Sequence, residues 1–547
     1  MKWITLILLF YNFLNGQKLA PPLDIPLEVA GNFCELRPDH FHAGIDFRTR
    51  GIENLYVYAI DDGILRRVVI SPYGYGKVLY IDHPNRNLTS VYAHLNQFSP
   101  RIESLINQIV NQNKSNYLDT IIVDLKIQIS KKEIIGLSGN TGSSIAPHLH
   151  FEIRELISEK LLNPESFFDI KDEIPPVFNH ILLYNLDIQP TEYTQKIDLQ
   201  DINNGIVKVP FKNIGLAVSA KDFYTDYKNT MGVNQIRFYK ENQLIYQIKL
   251  DHFLFSNQSQ INAITELKPP HHQEVYKLFS EPCGSPIFNS VTDGNLQLDE
   301  NKVTNLKIII EDFVGSINEI NLKMQFKQLK MKNSVNSEDA TLWINCDEAV
   351  EIYNPDFELF LKPKTIPSCR FFSYKKNILS HSNPFFQLEL FNQYTPCLKP
   401  FQLHFNLENF ISKALITKIY LSYNNEKLKK KFVGKLKYPF LEFENLKHFG
   451  NIELKVDSNP PVIQLVKGDL KKNDENRIEF TIFDEESGIS DYHVFINNKW
   501  EIAYYDPKKK MLSFEIPNSI NKKLNRVQVE VVDLVGNSAK KEFELVF

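Results

Sequence analysis

Histidine and aspartate residues occur at separate places in the first third of the chain, with a spacing that could surround one metal ion. His148 and His150 lie in the stretch 147–153, which is predicted to be a β-strand, and alternate side chains of a strand leave the same face. The two imidazoles are therefore predicted to point side by side. His42 and Asp46 form a second group far upstream. Histidine and carboxylate ligands hold a catalytic zinc ion and leave one coordination position open, so the first hypothesis is a metallohydrolase.

A further histidine, His94, ends another predicted strand, and a glycine-rich stretch at 136–142 leads into the strand that carries His148. Imidazoles titrate near neutral pH, which suits them to proton transfer beside a metal ion. From residue chemistry alone, either His148 or His150 could be the metal ligand, and the other would then take part in proton transfer.

The elements that position these residues are predicted to be short antiparallel strands. Runs rich in Val, Ile, Leu and Tyr are separated by turns that contain Gly, Pro, Asn and Asp. One helix is expected to interrupt them, with Ser99 as the N-cap, Pro100 at the first helical position and apolar residues at helical spacing after it. The predicted strands are 55–60, 64–70, 77–81 and 89–92.

Taken together, the motifs resemble those of the lysostaphin-type (LytM-like) zinc peptidoglycan endopeptidases over about residues 25–165. No single motif would be specific, but all occur in the family's order. They are His-x-Gly-x-Asp at 42–46, Tyr-Ala-His-Leu at 92–95, Gly-Asn-Thr-Gly at 139–142 and His-Leu-His-Phe-Glu at 148–152.

The resemblance implies a role for each residue of the set. It makes His42, Asp46 and His150 the ligands of one zinc ion per chain, and it places His94 and His148 as catalytic residues beside the reacting water and carbonyl. The family's pattern thus selects His150 over His148 as the ligand. It also implies an antiparallel β peptidase domain of the duplicated hybrid-motif type.

Neighbouring residues extend or depart from the family's pattern. Members often carry a tyrosine a few residues before the first ligand, where it helps to hold the oxyanion; Glu-Leu-Arg at 35–37 stands there instead, and Arg37 is the candidate for that role. Glu152 is expected to orient a ligand. His40 could compete as a ligand but lacks the family's spacing to the aspartate. The preface 37–42, with the trailing β modules, is similar to versions found in Bacteroidetes-like bacteria.

Beyond residue 170 the chain shows β segments and an internal repeat, with few chemical motifs. Asp-Glu-Ile-Pro-Pro-Val at 172–177 matches Asp-Ser-Asn-Pro-Pro-Val at 457–462. The parallels continue downstream, where the matching pairs are Asp222 with Asp484 and the stretch 311–315 with 532–537. Strand runs at this spacing predict immunoglobulin-like or fibronectin-like sandwiches.

The predicted fold class is therefore mostly β, with a peptidase domain followed by about three β-sandwich modules. The β modules are expected to position or restrain the catalytic domain, with wall anchoring and active-site covering both left open. The predicted divisions are a signal peptide at 1–16, the zinc peptidase domain at 17–170, a sandwich with an insertion at 171–330, a β module at 331–455 and an immunoglobulin-like module at 456–547.

The start of the chain predicts export. A basic residue is followed by the apolar run 4–14 and the small residue Gly16, which is the layout of a secretory signal and is too short to span a bilayer unaided. An uncleaved N-terminal anchor is the alternative, and no later segment has the length and composition of a membrane span. The five cysteines are scattered, so we expect at most one or two disulfides and no structural zinc site.

Composition excludes one class of partner and leaves two functional hypotheses. The net charge of -4 shows no basic excess of the kind that nucleic-acid binding requires. The first hypothesis is an enzyme of the periplasm or cell envelope, a zinc metalloendopeptidase that hydrolyses peptide cross-links of peptidoglycan in wall remodelling or division. The alternative is a non-catalytic wall-binding or regulatory protein that activates another wall hydrolase. A cell-envelope protein is a candidate partner of the β modules.

Overall fold

Strands dominate the structure, as the alternation of apolar and polar residues predicts. A computed structural model describes most of the chain, and the predicted signal peptide at 1–16 lies outside the described residues. The prediction of a mostly β fold, with a helix inserted in the first domain, is confirmed. The described residues are 19–37, 40–203, 205–225, 229–267, 274–284, 291–328, 342–379, 383–408, 413–424, 429–466, 477–516 and 524–546.

The N-terminal domain contains one large antiparallel sheet and one small one. The large sheet has the strand order β1-β2-β11-β6-β5-β4-β8, with β9 paired to β4 and β12 to β11, and the small sheet has the order β3-β10-β7. The strands are β1 (Val29–Gly31), β2 (Ile45–Arg48), β3 (Tyr56–Tyr58), β4 (Gly63–Ile70), β5 (Lys77–His83), β6 (Leu88–Leu95), β7 (Gln97–Phe98), β8 (Leu118–Ile121), β9 (Gln128–Ile129), β10 (Ile134–Leu137), β11 (His148–Glu155) and β12 (Leu161–Leu162).

Helix α1 (Pro100–Asn113) begins where the sequence predicts, with Ser99 at the N-cap and a proline at the first helical position. The carboxylate of Glu103 accepts a hydrogen bond from the backbone N–H of Phe98, at 3.2 Å, and so satisfies a donor at the helix start. Three apolar residues one turn apart are buried against the sheet core. They are Ile102, Ile106 and Val110.

The first sandwich is built from two five-stranded sheets, β14-β13-β16-β20 with β21 on β16, and β15-β23-β22-β17-β18. Strand β19 instead pairs with β12 of the N-terminal domain. Helices α2 (Leu199–Asn203) and α3 (Ile261–Ile264) are short. The strands are β13 (Ile174–Asn185), β14 (Tyr193–Asp198), β15 (Ile206–Val209), β16 (Asn213–Phe223), β17 (Gln235–Lys240), β18 (Gln243–Lys249), β19 (His252–Phe253), β20 (Val275–Lys277), β21 (Leu296–Gln297), β22 (Thr304–Glu311) and β23 (Ile317–Phe326).

The second sandwich pairs the sheets β25-β26-β30-β34-β33 and β28-β29-β35-β31-β32, next to a small β24-β27 sheet. A disulfide between Cys283 and Cys346 joins it to the first sandwich. The strands are β24 (Leu342–Ile344), β25 (Val350–Tyr353), β26 (Phe357–Leu361), β27 (Arg370–Phe372), β28 (Tyr374–Ile378), β29 (Phe386–Leu390), β30 (Phe401–Asn406), β31 (Ile419–Asn424), β32 (Lys429–Phe432), β33 (Lys435–Lys437), β34 (Phe440–Leu446) and β35 (Gly450–Val456).

The third sandwich pairs two four-stranded sheets, β36-β37-β41-β40 and β39-β38-β42-β43. Short 3-10 helices occur at Pro84–Arg86, Val123–Leu125, Pro164–Phe167, Phe255–Gln260 and Lys413–Lys418. The strands are β36 (Val462–Leu465), β37 (Arg477–Phe483), β38 (Ile489–Ile496), β39 (Lys499–Glu501), β40 (Tyr504–Asp506), β41 (Met511–Glu515), β42 (Leu524–Asp533) and β43 (Ser538–Val546).

The hydrophobic cores cross the predicted division near residue 170. Phe33 and Phe41 of the N-terminal domain pack into the core of the first sandwich. In return, Tyr224 and Met231 of the first sandwich and Trp500 of the third pack into the core of the N-terminal domain. The first and third sandwiches are therefore packed against the domain that carries the histidine and aspartate residues. Among the described helices, none has the length and apolarity that a membrane span requires.

Candidate metal centre

The register of three strands brings the predicted site residues together. Strand β11 lies between β2 and β6, and His150 is paired with Asp46 on one side and with Ala93 on the other. His94 follows Ala93 directly. Because alternate residues of a strand share a face, the side chains of His148 and His150 both lie on the same face of the sheet. The segment before β2 supplies His42.

Glycine is required at position 44, within this segment. A β-carbon built on Gly44 would lie 2.2 Å from the carbonyl oxygen of Phe151. The absence of a side chain lets the chain between His42 and Asp46 pass directly against β11. The glycine of the His-x-Gly-x-Asp motif is therefore a packing requirement of the site.

Three donor atoms converge at this point. The Nε2 atom of His42 lies 3.0 Å from Asp46 Oδ1 and 3.0 Å from His150 Nδ1, and His150 Nδ1 lies 2.9 Å from Asp46 Oδ1. Ligand atoms around a tetrahedral zinc ion lie about 3.3–3.5 Å apart. The three side chains would thus hold zinc after movements of a few tenths of an ångström. Two imidazoles and one carboxylate are also the donor set of a catalytic zinc site with an open position.

The outer contacts of the two imidazoles determine which nitrogen faces the centre. The Nδ1 atom of His42 lies 2.7 Å from the backbone carbonyl oxygen of Asn32, and Nε2 of His150 lies 3.1 Å from Glu152 Oε1. Both partners are acceptors, so these nitrogens carry the protons and donate. The lone pairs of His42 Nε2 and His150 Nδ1 are left to face the convergence point, as ligands must.

The second oxygen of Asp46 is held by Arg37. The Nη2 atom of Arg37 lies 3.3 Å from Asp46 Oδ2 and 3.4 Å from Glu35 Oε2. Arg37, the candidate for holding an oxyanion, thus forms an ion pair with the carboxylate of the centre. This contact keeps Oδ1 of Asp46 turned toward the two imidazoles.

His94 and His148 lie beside the three convergent residues and also present Nε2 to the centre. Nδ1 of His94 donates to the carbonyl oxygen of Thr141 at 2.8 Å, and Nδ1 of His148 donates to that of Ala146 at 2.8 Å. Their ring centroids are 4.8 Å apart, and His148 Nε2 lies 3.4 Å from Asp46 Oδ1. Each ring therefore leaves its Nε2 atom unprotonated.

Burial keeps His94 uncharged. Desolvation, reinforced by the charges of His148 and His150, lowers the pKa of His94 to about 3. A neutral imidazole at neutral pH can accept a proton. The backbone of His94 is left-handed, with a φ of 60°, and its N–H donates to the carbonyl of Tyr75 at 2.9 Å. Such backbone is uncommon outside glycine, and here it directs the imidazole out of the strand and toward the centre.

The remaining charges favour an anionic carboxylate at the centre. Burial acts to raise the pKa of Asp46, but the surrounding imidazoles of His42, His148 and His150 hold it well below its usual range. Burial similarly acts to raise the pKa of Glu152, yet Arg154 and His150 hold it at about 2. Both carboxylates are therefore ionised, one at the centre and one behind His150.

Three supporting residues were not found by sequence reasoning. The hydroxyl of Tyr75 donates to Glu152 at 2.5 Å, and Arg154 donates to the other oxygen of Glu152 at 2.7 Å. Tyr75 lies in the Tyr-Gly-Tyr-Gly stretch 73–76, a turn whose composition does not indicate this contact. Asn32 had no local signal, because its side chain pairs with the backbone of Gly232, 200 residues away.

Comparisons with known proteins give matches to solved structures alone. No family model and no curated protein sequence matches the chain. The catalytic domain of the prophage-encoded M23 protein EnpA from Enterococcus faecalis aligns with 27% of this chain and 98% of its own length, with 21% identity and a TM-score of 0.20. The catalytic domain of the antimicrobial peptidase lysostaphin from Staphylococcus simulans aligns with 28% of this chain and 95% of its own, with 24% identity and a TM-score of 0.18. What the centre can do chemically follows from its own residues.

Proposed function

We propose that the chain is an exported zinc metalloendopeptidase of the periplasm or cell envelope that hydrolyses peptide cross-links of peptidoglycan. The observation that carries the proposal is the convergence of His42 Nε2, Asp46 Oδ1 and His150 Nδ1 within 3.0 Å of one another, with His94 and His148 beside them. The proposal of peptidoglycan as substrate is supported by the motif resemblance described above, which covers the same five residues.

Zinc bound by His42, Asp46 and His150 would acidify water and polarise the scissile carbonyl. The protein supplies the proton transfers. His148 Nε2, which faces the centre 3.4 Å from Asp46 Oδ1, accepts the proton of the attacking water and returns it to the leaving amine. His94 Nε2, left unprotonated in the same way, accepts a hydrogen bond from the reacting water. The carbonyls of Thr141 and Ala146 keep both rings in the tautomer that this requires.

The test combines elemental analysis with digestion of purified sacculi. The zinc-loaded protein should contain one zinc per chain and should cleave the cross-linked muropeptides of the sacculi into shorter products. The metal-stripped protein should produce none of these products until zinc is restored. A His42→Ala, Asp46→Ala double variant should retain neither zinc nor activity. Undiminished zinc in the double variant would contradict the ligand assignment. Zinc binding without cleavage of any sacculus or peptide substrate would instead support the non-catalytic regulatory function.

A further inference from the structure

A second group of carboxylates lies where the N-terminal domain joins the first sandwich. Asp172 precedes β13, Asp222 lies near the end of β16 and Asp312 directly follows β22. One oxygen of each lies within 4.8 Å of the other two. None of the three belongs to the histidine centre. Topology, and not sequence proximity, brings them together.

Asp222 and Asp312 are buried and Asp172 is half-buried, and each has a buried oxygen without a partner. Asp222 and Asp312 are each 1% exposed. One oxygen of Asp172 accepts the backbone N–H of Ile174 at 3.3 Å. One oxygen of Asp312 accepts the backbone N–H of Ser316 at 2.8 Å. One further oxygen of each aspartate is buried and accepts no hydrogen bond. These atoms are Asp172 Oδ2, Asp222 Oδ1 and Asp312 Oδ2.

No basic side chain of the described residues neutralises the group. Glu165, whose carboxylate accepts the hydroxyl of Tyr224 at 2.6 Å, adds further negative charge nearby. Burial, with the charge of Asp172, raises the pKa of Asp222 to about 9. Buried carboxylates without partners are costly unless they are paired, protonated or bound to a metal ion.

We propose that Asp172, Asp222 and Asp312 bind a calcium ion through their three unpartnered oxygens. All three donors are carboxylate oxygens, which are the ligands of hard cations, and no histidine or cysteine that would favour zinc takes part. Calcium accepts flexible oxygen geometry, whereas magnesium keeps several of its waters, which a buried group accommodates poorly.

The internal repeat places three aspartates at the same positions of the third sandwich. Asp457 precedes β36, Asp484 follows β37 and Asp533 ends β42, and they too have oxygens within 4.8 Å of one another. There, however, backbone N–H groups occupy both oxygens of Asp457, and Asp533 accepts bonds from Val535 and Asn537. The side chain of Asn537 donates to the second oxygen of Asp533 at 2.7 Å. The third sandwich therefore satisfies, with backbone and one amide side chain, the oxygens of Asp457 and Asp533 whose counterparts the first sandwich leaves open.

A bound calcium ion would fix the first sandwich on the N-terminal domain. Tyr224, two residues after Asp222, packs in the core of the N-terminal domain, and its carbonyl accepts the N–H of Glu173 at 2.9 Å. An ion joining Asp172 to Asp222 and Asp312 would connect the linker near residue 172 to both sheets of the sandwich.

The experiment uses full-length, zinc-loaded protein in calcium-free buffer, titrated with calcium chloride. We expect calorimetry to show one calcium per chain, and the melting temperature to rise by about 5–10 °C at a calcium concentration near 100 times Kd. Asp222→Asn and Asp312→Asn should each abolish both effects and should melt at or above the temperature of calcium-free wild type, because they relieve the repulsion between buried charges. Zinc content, measured on the same samples, should stay constant.

Asp484→Asn in the third sandwich is the matched control and should retain the calcium response. Loss of the response in Asp484→Asn with retention in Asp222→Asn would place the ion in the third sandwich and overturn the proposal. No heat of binding and no change in melting temperature for wild type at millimolar calcium would also overturn it. If Asp222→Asn does not fold, the calcium response of Asp312→Asn tests the same site. An equal response to magnesium would contradict the choice of calcium.

Discussion

At the scale of single residues, the centre is organised by which nitrogen of each imidazole carries its proton. His42 uses Nδ1 for its outer contact and His150 uses Nε2, so the nitrogens facing the centre differ in type. His94 and His148 both use Nδ1 for carbonyl partners. A motif specifies that histidines occur at these positions, but the partner of each ring decides whether it can be a ligand or a proton carrier.

This division predicts different outcomes for the two kinds of histidine. His148→Ala and His94→Ala should each retain zinc and lower turnover by about 10²- to 10⁴-fold, the range for loss of a general acid or base. Elemental analysis and muropeptide release would be measured on the same preparations. His252→Ala, an exposed histidine of the first sandwich, is the control and should leave both unchanged. Loss of zinc in His148→Ala with retention in His150→Ala would invert the assignment of the pair.

Much of the site at this scale could be predicted from the sequence, because its residues lie in short motifs on adjacent strands. The structure brings together all five residues named from the motifs, and it places Glu152 against His150 as expected for an orienting partner. Asn32 could not be predicted, since nothing near it in sequence marks its contact with Gly232.

At the scale of elements, the first sandwich supports the metal centre through Asn32. The Asn32 side chain donates to the carbonyl of Gly232 at 2.7 Å and accepts its N–H at 2.9 Å, while its own carbonyl accepts His42 Nδ1 at 2.7 Å. The loop before β17 therefore fixes the backbone that orients a predicted zinc ligand. The N-terminal domain and the first sandwich act as one structural unit at this point.

Asn32→Ala should therefore weaken zinc binding although Asn32 does not touch the metal. The substitution removes both side-chain bonds to Gly232 and frees the backbone that orients His42, and loss of such outer contacts lowers metal affinity by about 10- to 100-fold. Zinc affinity would be measured by competition with a chelator. Asn229→Ala is the matched control, because Asn229 joins the same two segments through the carbonyl of Ala30 at 3.2 Å without reaching the centre. Equal loss of affinity in both variants would indicate general loosening of the interface.

Element prediction from the sequence worked where the signal was local. Ser99 and Pro100 begin the helix as expected, and alternating residues form strands. Pairing between distant elements carried no such signal. Strand β19 joins β12 across about 90 residues, and Phe33 and Phe41 enter the core of the first sandwich, because burial of apolar surface does not respect the order of the chain.

At the scale of the whole molecule, the third sandwich folds back onto the N-terminal domain beside the metal centre. Lys508 donates to the carbonyls of Asn140 and Ser144, in the loop whose Thr141 and Ala146 carbonyls accept hydrogen bonds from His94 and His148. A cleft of about 860 Å³ runs between the two units and is lined on opposite sides by residues such as Thr141 and Tyr504. The sandwich therefore supports this loop and forms one wall of the cleft.

Asn116, which is 2% exposed, makes two buried hydrogen bonds across this docking interface. Its side chain donates to the carbonyl of Tyr492 at 2.8 Å and accepts the N–H of Ala503 at 3.0 Å. Asn116→Ala would leave both backbone groups buried without partners, at a cost of about 2–4 kcal/mol to docking. Release of the sandwich should then free the loop that Lys508 holds, so we expect kcat/KM on soluble cross-linked muropeptides to fall about 3- to 10-fold with zinc content unchanged.

Limited proteolysis should show the same variant cut earlier between the second and third sandwiches, near residues 457–461. Asn113→Ala, an exposed residue at the end of helix α1 and three residues before Asn116, is the control and should match wild type in both measurements. A gain of activity in Asn116→Ala would mean that the third sandwich restrains access to the centre and does not support it. Earlier proteolysis without any change in kcat/KM would mean that the loop keeps its two histidines in place through its own contacts, since the carbonyls of Thr141 and Ala146 both belong to the N-terminal domain.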